Sequence, residues 1–200
     1  SPMDVIRDTE ALRQRLHRVH HRGDRLAFVP TMGNLHAGHA QLVRHARSIA
    51  PVVVASIFVN PLQFCDGEDY ASYPSTLEAD RKLLDDLDVD VLFLPGVEDI
   101  YPGGAEHTTT VVVPALNAIL EGAHRPTHFD GVSTVVAKLF AGIQPDVAYF
   151  GRKDAQQVAV VTTMARDLRF PVRIEPGATV RESDGLALSS RNVFLSDADR

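Results

Sequence analysis

Apolar residues along this chain fall into short unbroken runs, separated by longer stretches in which they recur every three or four positions. Leu26-Ala27-Phe28-Val29 and the run from Val52 to Val59 have the continuous apolar character of strands buried on both faces. Between them, Leu42, Val43, Ala46 and Ile49 recur at helical spacing and leave Arg44 and Arg47 for the outer face, so the unit reads β-α-β. Ser75-Thr76-Leu77-Glu78 has the form of a capping box and predicts a helix whose Leu83, Leu84 and Leu87 face the sheet. A third strand, Val89 to Leu94, follows. Thr108 to Val113 has the β-branched composition of a strand, Val132 to Ile143 reads as a helix, and Val147-Ala148-Tyr149-Phe150 reads as another central strand. A helix from about Ala155 to Leu168 comes next. Strands alternating with helices predict an α/β fold, a parallel sheet covered by helices. The two longest irregular stretches, Asn60 to Pro74 and Gly96 to His107, are of the length at which loops tend to carry function.

Composition narrows this picture. A chain of 200 residues with 44% hydrophobic content can bury one substantial core, so a single compact domain is expected. Ser196, with Asp197 and Asp199 behind it, has the form of an N-cap with acids in the first helical turn. We therefore expect one domain over residues 1–195, with 196–200 opening a C-terminal domain. The net charge of −6 argues against nucleic acid and anionic membranes as partners and requires any phosphate site to be built locally from placed Lys and Arg. Cys65 is the only cysteine, and the sequence has neither an apolar membrane span nor a secretory leader, which points to the cytoplasm.

The candidate chemistry begins at Pro30-Thr31-Met32-Gly33-Asn34-Leu35-His36-Ala37-Gly38-His39, set directly between the first strand and the first helix. The carboxyl edge of a parallel strand opens a crevice, and the following helix turns free N–H groups and its positive dipole end toward an anion. His36 and His39, three residues apart, can lie on one side and stabilise charge developing on an α-phosphate, and Gly38 lets a nucleotide approach the backbone. A solvated or capping histidine pair and a zinc site are the plain alternatives, but no Cys or His cluster nearby completes the latter. A second group is Gly151-Arg152-Lys153-Asp154 at a strand end, followed by Gln157 on the next helix, where an amide can bind a carboxylate or hydroxyl. Alone, Lys153 reads as a solvated surface charge. A third group is Val180-Arg181-Glu182 and Leu188-Ser189-Ser190-Arg191, whose hydroxyls and guanidinium can grip phosphate oxygens. A Ser-rich turn is otherwise plain turn chemistry.

The form H-x-G-H resembles the nucleotidyltransferase superfamily, which pairs it with a downstream Ser/Arg loop. Within that group, Phe58-Val59-Asn60-Pro61-Leu62-Gln63-Phe64, Glu68-Asp69, Tyr73-Pro74, Glu121-Gly122 and Arg125-Pro126-Thr127-His128-Phe129-Asp130-Gly131-Val132 are similar in order and spacing to the pantothenate synthetases. The matching motifs run over most of Leu26 to Leu195. The resemblance implies a Rossmann-like, doubly wound parallel sheet of the H-x-G-H nucleotidyltransferase type and a homodimer that uses ATP and Mg²⁺ to adenylate pantoate and passes the pantoyl group to β-alanine. It also implies that Met32, Gly33, Asn34, Leu35, His36, Ala37, Gly38 and His39 line the ATP site, with His36 the proton donor and His36, His39, Lys153 and Arg191 the catalytic set. Gly151, Arg152, Lys153, Asp154, Val180, Leu188, Ser189, Ser190 and Arg191 would complete the nucleotide site. Gln63 and Gln157 would hold pantoate, with Gln63 also near β-alanine; no residue is assigned as a metal ligand, and Mg²⁺ would be held mainly by ATP phosphates and water. Four positions depart from the family pattern: Arg152 replaces Glu, Leu188 replaces Met, Cys65 replaces Gly and Ser75 replaces Arg. Two rival readings are a superfamily enzyme that attacks ATP with a phosphate and a non-enzymatic nucleotide-binding module. The first would want more basic residues at its second substrate, and the second would need only the H-x-G-H-like turn.

Overall fold

The computed structural model describes residues 2–64, 70–117, 127–151 and 155–177. Cys65, Glu121, Arg125, Arg152, Lys153, Asp154, Val180, Leu188, Ser189, Ser190, Arg191 and the expected boundary at 195/196 lie outside them.

The described residues form a six-stranded, all-parallel sheet in the order β1-β4-β3-β2-β5-β6. The strands are β1 (Asp4–Ile6), β2 (Leu26–Thr31), β3 (Val52–Ile57), β4 (Val91–Phe93), β5 (Val147–Phe150) and β6 (Arg173–Pro176). The helices are α1 (Thr9–Arg22), α2 (Ala37–Ile49), α3 (Leu77–Asp86), α4 (Val97–Ile100), α5 (Pro114–Asn117), α6 (His128–Ile143) and α7 (Ala155–Asp167). Alternation along each central strand sends side chains to two cores. Leu26, Phe28, Val54, Phe93 and Ala148 join α1, α6 and α7, whereas Ala27, Val29, Val53, Leu92 and Val147 join α2 and α3. From β2 the chain winds outward through β3 to β4, while β5 and β6 extend the sheet on the other side of β2. A doubly wound sheet opens its crevice where the winding reverses, at the carboxyl ends of β2 and β5.

The predicted strands and helices recur with trimmed or extended ends. The strand expected over Val89 to Leu94 shrinks to β4, and the helix expected from Val132 starts at His128. The capping box at Ser75–Glu78 does not form: α3 starts at Leu77, with Thr76 as N-cap and no side-chain cap bond, because the Thr76 hydroxyl is turned to Asp80 and Asn34 instead. The β-branched stretch Thr108 to Val113 makes no strand. Val111 gives its N–H to Thr134 Oγ1 at 2.9 Å and its carbonyl accepts from Ser133 Oγ at 2.5 Å, so hydroxyls on α6 take the groups a neighbouring strand would need. The opening β1–α1 unit and β6 were not anticipated. The signals for α1 were present in Asp8, whose carboxylate accepts from Ala11 N at 2.8 Å, the Leu12, Leu16, Val19 stripe and the left-handed C-cap Gly23.

Ser56 on β3 is fully buried, and its Oγ is the only buried side-chain nitrogen or oxygen among the described residues with no hydrogen-bond partner. Removing an unpaired polar atom forfeits no hydrogen bond. Ser56→Ala should therefore leave the melting temperature unchanged or raise it. A fall of about 4 °C, roughly 1 kcal/mol for a chain of this size, would reveal a partner for the hydroxyl.

Candidate active site

The turn that leaves β2 is built around a buried carboxylate. Gly33 sits at φ +85°, where glycine carries no side-chain penalty, and Asn34 follows at φ +52°. A Cβ on Gly33 would stand 3.2 Å from Asp80 Oδ2, so the turn lies directly against that oxygen. Asp80, on α3, is only 3% exposed. Its Oδ2 accepts from Asn34 N and its Oδ1 from Leu35 N, both at 3.0 Å, and Thr76 Oγ1 lies 3.0 Å from Oδ2. Thr31 adds a brace: its hydroxyl donates to Ser56 O at 2.8 Å and accepts from Gly33 N at 3.1 Å.

The turn delivers His36 as the N-cap of α2. Its Nδ1 accepts from Gly38 N at 3.0 Å, and His36 N in turn donates to His39 Nδ1 at 3.2 Å, a reciprocal capping box made by two imidazoles. A backbone N–H can only donate, so Nδ1 is an acceptor in both rings, and a neutral ring then carries its proton on Nε2. The ring centroids are 4.3 Å apart. Both partly buried histidines are thus fixed as a pair with donor Nε2–H edges. This alters one expectation: the N–H groups of Gly33, Asn34, Leu35, His36 and Gly38 are engaged inside the protein. They do not form an open cradle.

At the carboxyl end of neighbouring β3, a 3-10 turn over Pro61–Gln63 brings Gln63 to 8% exposure. Gly131, in the first turn of α6, presses on this turn so closely that a Cβ would overlap the Leu62 carbonyl and come within 2.9 Å of Gln63 N. His128 Nδ1 lies 2.9 Å from Gln63 O and donates to it. Asn60 Nδ2 donates to Gln63 Oε1 at 3.1 Å and to Gly131 O at 3.0 Å. Gly151 ends β5 across the switch point from the histidines, and Gln157, partly exposed, stands in the first turn of α7. The fold therefore gathers His36, His39, Gln63, Gly151 and Gln157 at the carboxyl edge of three adjacent strands. Lys153, Arg191 and the other expected phosphate contacts lie outside the described residues.

Two supports of the turn lack a local signal in the sequence: Asp80 looks like one more acid on an amphipathic helix and Thr31 like a strand end, and each works through partners far away in sequence. A cavity of about 260 Å³ on the β4 side of the turn is lined by Met32, Gly33, Asn34, Phe58, Tyr73 and Asp80 among others, and the two histidines do not line it. Among the described residues no group of three or more His, Cys, Asp or Glu side chains could hold a metal ion, and no helix is long and apolar enough to cross a membrane.

The family model described as Pantoate-beta-alanine ligase matches residues 4–200. A pantothenate synthetase of Allorhizobium ampelinum is 54% identical over 198 residues, which is 99% of this chain and 68% of that protein. The crystal structure of pantothenate synthetase from Thermus thermophilus superposes with a TM-score of 0.87 at 55% identity, covering 99% of this chain and 70% of that one. That of the pantoate-beta-alanine ligase from Francisella tularensis, complexed with beta-gamma ATP and beta-alanine, gives 0.86 at 40% identity, covering 98% and 74%.

The buried carboxylate makes a prediction about the turn. In Asp80→Asn one acceptor oxygen becomes an NH₂ that faces a donor, which leaves a buried N–H or hydroxyl unpaired. A loss of about 1–3 kcal/mol in urea unfolding is expected. An unchanged midpoint would mean that the turn stands without this carboxylate.

Proposed function

This chain belongs to the pantoate-β-alanine ligase family, and we propose that its site joins the two substrates through a pantoyl adenylate. The reaction is an ATP-dependent ligation of pantoate with β-alanine to pantothenate. In the first step a pantoate carboxylate oxygen bonds to the α-phosphorus of ATP and pyrophosphate leaves with the electron pair of the broken P–O bond. In the second, the β-alanine amine attacks the acyl carbon, AMP departs, and the amine nitrogen gives up a proton.

The observation that carries this reading is the pair of fixed imidazoles at the switch point. Two Nε2–H donors on a rigid helix start are suited to the charge that builds on the α-phosphate oxygens, and donors already in place need no reorganisation at the moment of reaction. His36, whose Nδ1 is tied to Gly38 N, has its donor edge defined, in keeping with a role as proton donor. Met32 to His39 and Gly151 line the nucleotide, joined by Arg152, Lys153, Asp154, Val180, Leu188, Ser189, Ser190 and Arg191, with Lys153, Ser189, Ser190 and Arg191 on the phosphates. Gln63 and Gln157 hold pantoate, and Gln63 also approaches β-alanine. A Mg²⁺ ion accompanying ATP would be held mainly by phosphate oxygens and water and would neutralise phosphate charge. We place the enzyme in the cytoplasm as a homodimer: the single cysteine suits a reducing compartment, and the family resemblance implies the dimer.

Exchange of labelled pyrophosphate into ATP should depend on pantoate, and its absence would sink the adenylate route. His36→Asn separates catalysis from folding, because asparagine is itself a strong N-cap and keeps the helix start while removing the Nε2 donor. We expect stability within about 0.5 kcal/mol of the parent and a single-turnover adenylation rate lower by about a hundredfold or more. His39→Ala should also slow adenylation far more than it weakens ATP binding. Near-parental rates in both variants would remove the histidines from the mechanism.

A further inference from the structure

The hydrogen-bond chain that ends on Gln63 begins at Tyr101, just past α4, in a segment to which the reaction so far assigns nothing. Tyr101 is 1% exposed, and its hydroxyl donates to Asn60 Oδ1 at 2.6 Å. Asn60, equally buried, uses both ends of its amide: Oδ1 also accepts from Leu62 N at 3.3 Å, and Nδ2 donates to Gly131 O at 3.0 Å and to Gln63 Oε1 at 3.1 Å. A carbonyl can only accept and a backbone N–H can only donate, so the Asn60 amide has one orientation. Gln63 inherits it, because an NH₂ group facing its amide can be answered only by Oε1. The Nε2 end of Gln63 is thereby directed away from Asn60.

We propose that Tyr101 is a positioning residue that acts through Asn60 to hold the Gln63 amide with its donor end toward the acid substrate. The proposal rests on Gln63 meeting pantoate, as assigned under the proposed function. A carboxylate or hydroxyl oxygen is welcomed by an N–H and repelled by a carbonyl oxygen, so an amide free to turn over would spend part of its time in the wrong polarity. Of the two contacts to Asn60 Oδ1, the Tyr101 bond is the shorter by far, and the Leu62 contact is long. The phenol is held from two sides. Lys138 Nζ lies 4.9 Å from the centre of its ring and is itself anchored on Ile100 O at 2.9 Å, and Phe58 packs at a centroid distance of 6.3 Å. Burial, and after it the neighbouring Tyr70, pushes the Tyr101 hydroxyl well above the usual tyrosine range, so it remains a protonated donor. A phenylalanine would fill the same space; the oxygen is needed only by Asn60.

Tyr101→Phe tests this by steady-state kinetics with each substrate varied, beside Gln63→Ala and the double variant, with melting curves for all three. Loss of one hydrogen bond from the amide should raise KM for pantoate about three- to tenfold and leave KM for ATP within about twofold. In the Gln63→Ala background the same change should have no further effect on pantoate, because the amide it orients is gone. If Gln63→Ala leaves KM for pantoate unchanged, the assignment of Gln63 fails, and the proposal with it. If Gln63→Ala raises it but Tyr101→Phe does not, Gln63 stands and the role of Tyr101 is overturned. Equal rises for pantoate and ATP, or effects that simply add in the double variant, would reduce Tyr101 to general support of the fold and also overturn the proposal.

Discussion

One buried carboxylate sets the geometry of this site. Asp80 is nearly inaccessible and accepts two successive backbone N–H groups of the turn that leaves β2. A charge in such a place is tolerated only when donors surround it, and here the donors are the turn itself. The carboxylate stands directly against the turn, its Oδ2 3.2 Å from where a Cβ of Gly33 would lie. It thereby holds two residues at positive φ, Gly33 and Asn34, and brings His36 to α2 as a cap. From that point the local chemistry follows without further choices: two Nδ1 atoms accept from backbone and two imidazoles share one helix start.

The turn that carries Gln63 depends on a different constraint, the absence of a side chain at Gly131. Only a hydrogen at that position lets α6 press on the Pro61–Gln63 turn, and the same contact puts Gly131 O within reach of Asn60 Nδ2. Gln63 is thus held through its backbone by His128 and through its amide by Asn60. The two constraints act on neighbouring strands, β2 and β3, whose register is fixed along their full lengths from Leu26 opposite Val52 to Thr31 opposite Ile57. A shift of either strand would separate the histidines from the amide. The sheet is therefore the ruler, and the two turns are the tools mounted on it.

Much of this was legible in the chain. The continuous apolar runs of β2, β3 and β5 announced a buried parallel sheet, and the ten residues from Pro30 to His39 announced the turn. What could not be read was how that turn is held. Periodicity reports which face of a helix is apolar, but Asp80 lies on α3 among acids such as Asp85 and Asp86, and nothing local separates a surface acid from one buried against a turn 45 residues upstream. The capping box at Ser75 failed for the same reason, since Thr76 is drawn to Asp80 and Asn34 by tertiary contacts that outweigh the local motif. Thr108 to Val113 was misjudged because β-propensity describes a side chain's fit to a pleated surface, whereas here hydroxyls from α6 claim the backbone groups. The β1–α1 unit is a different case. Its caps and stripe were in plain view but lay ahead of the first obvious strand.

The internal use of the turn's N–H groups has a consequence for how binding energy is divided. An open backbone cradle grips phosphates equally in the ground state and the transition state, which tightens ATP binding without speeding the reaction. Here a resident carboxylate and a capping box take those donors, and the chain's net charge of −6 offers no general attraction. Under the proposed function, ground-state affinity for the nucleotide then falls to cationic and hydroxyl side chains of other segments, Lys153, Ser189, Ser190 and Arg191. Under the proposed function, the imidazoles act on charge that appears only as pyrophosphate begins to leave. The turn at this helix N-terminus is held by the protein's own carboxylate and its own capping box, so under the proposed function grip and catalysis fall to different segments of the chain.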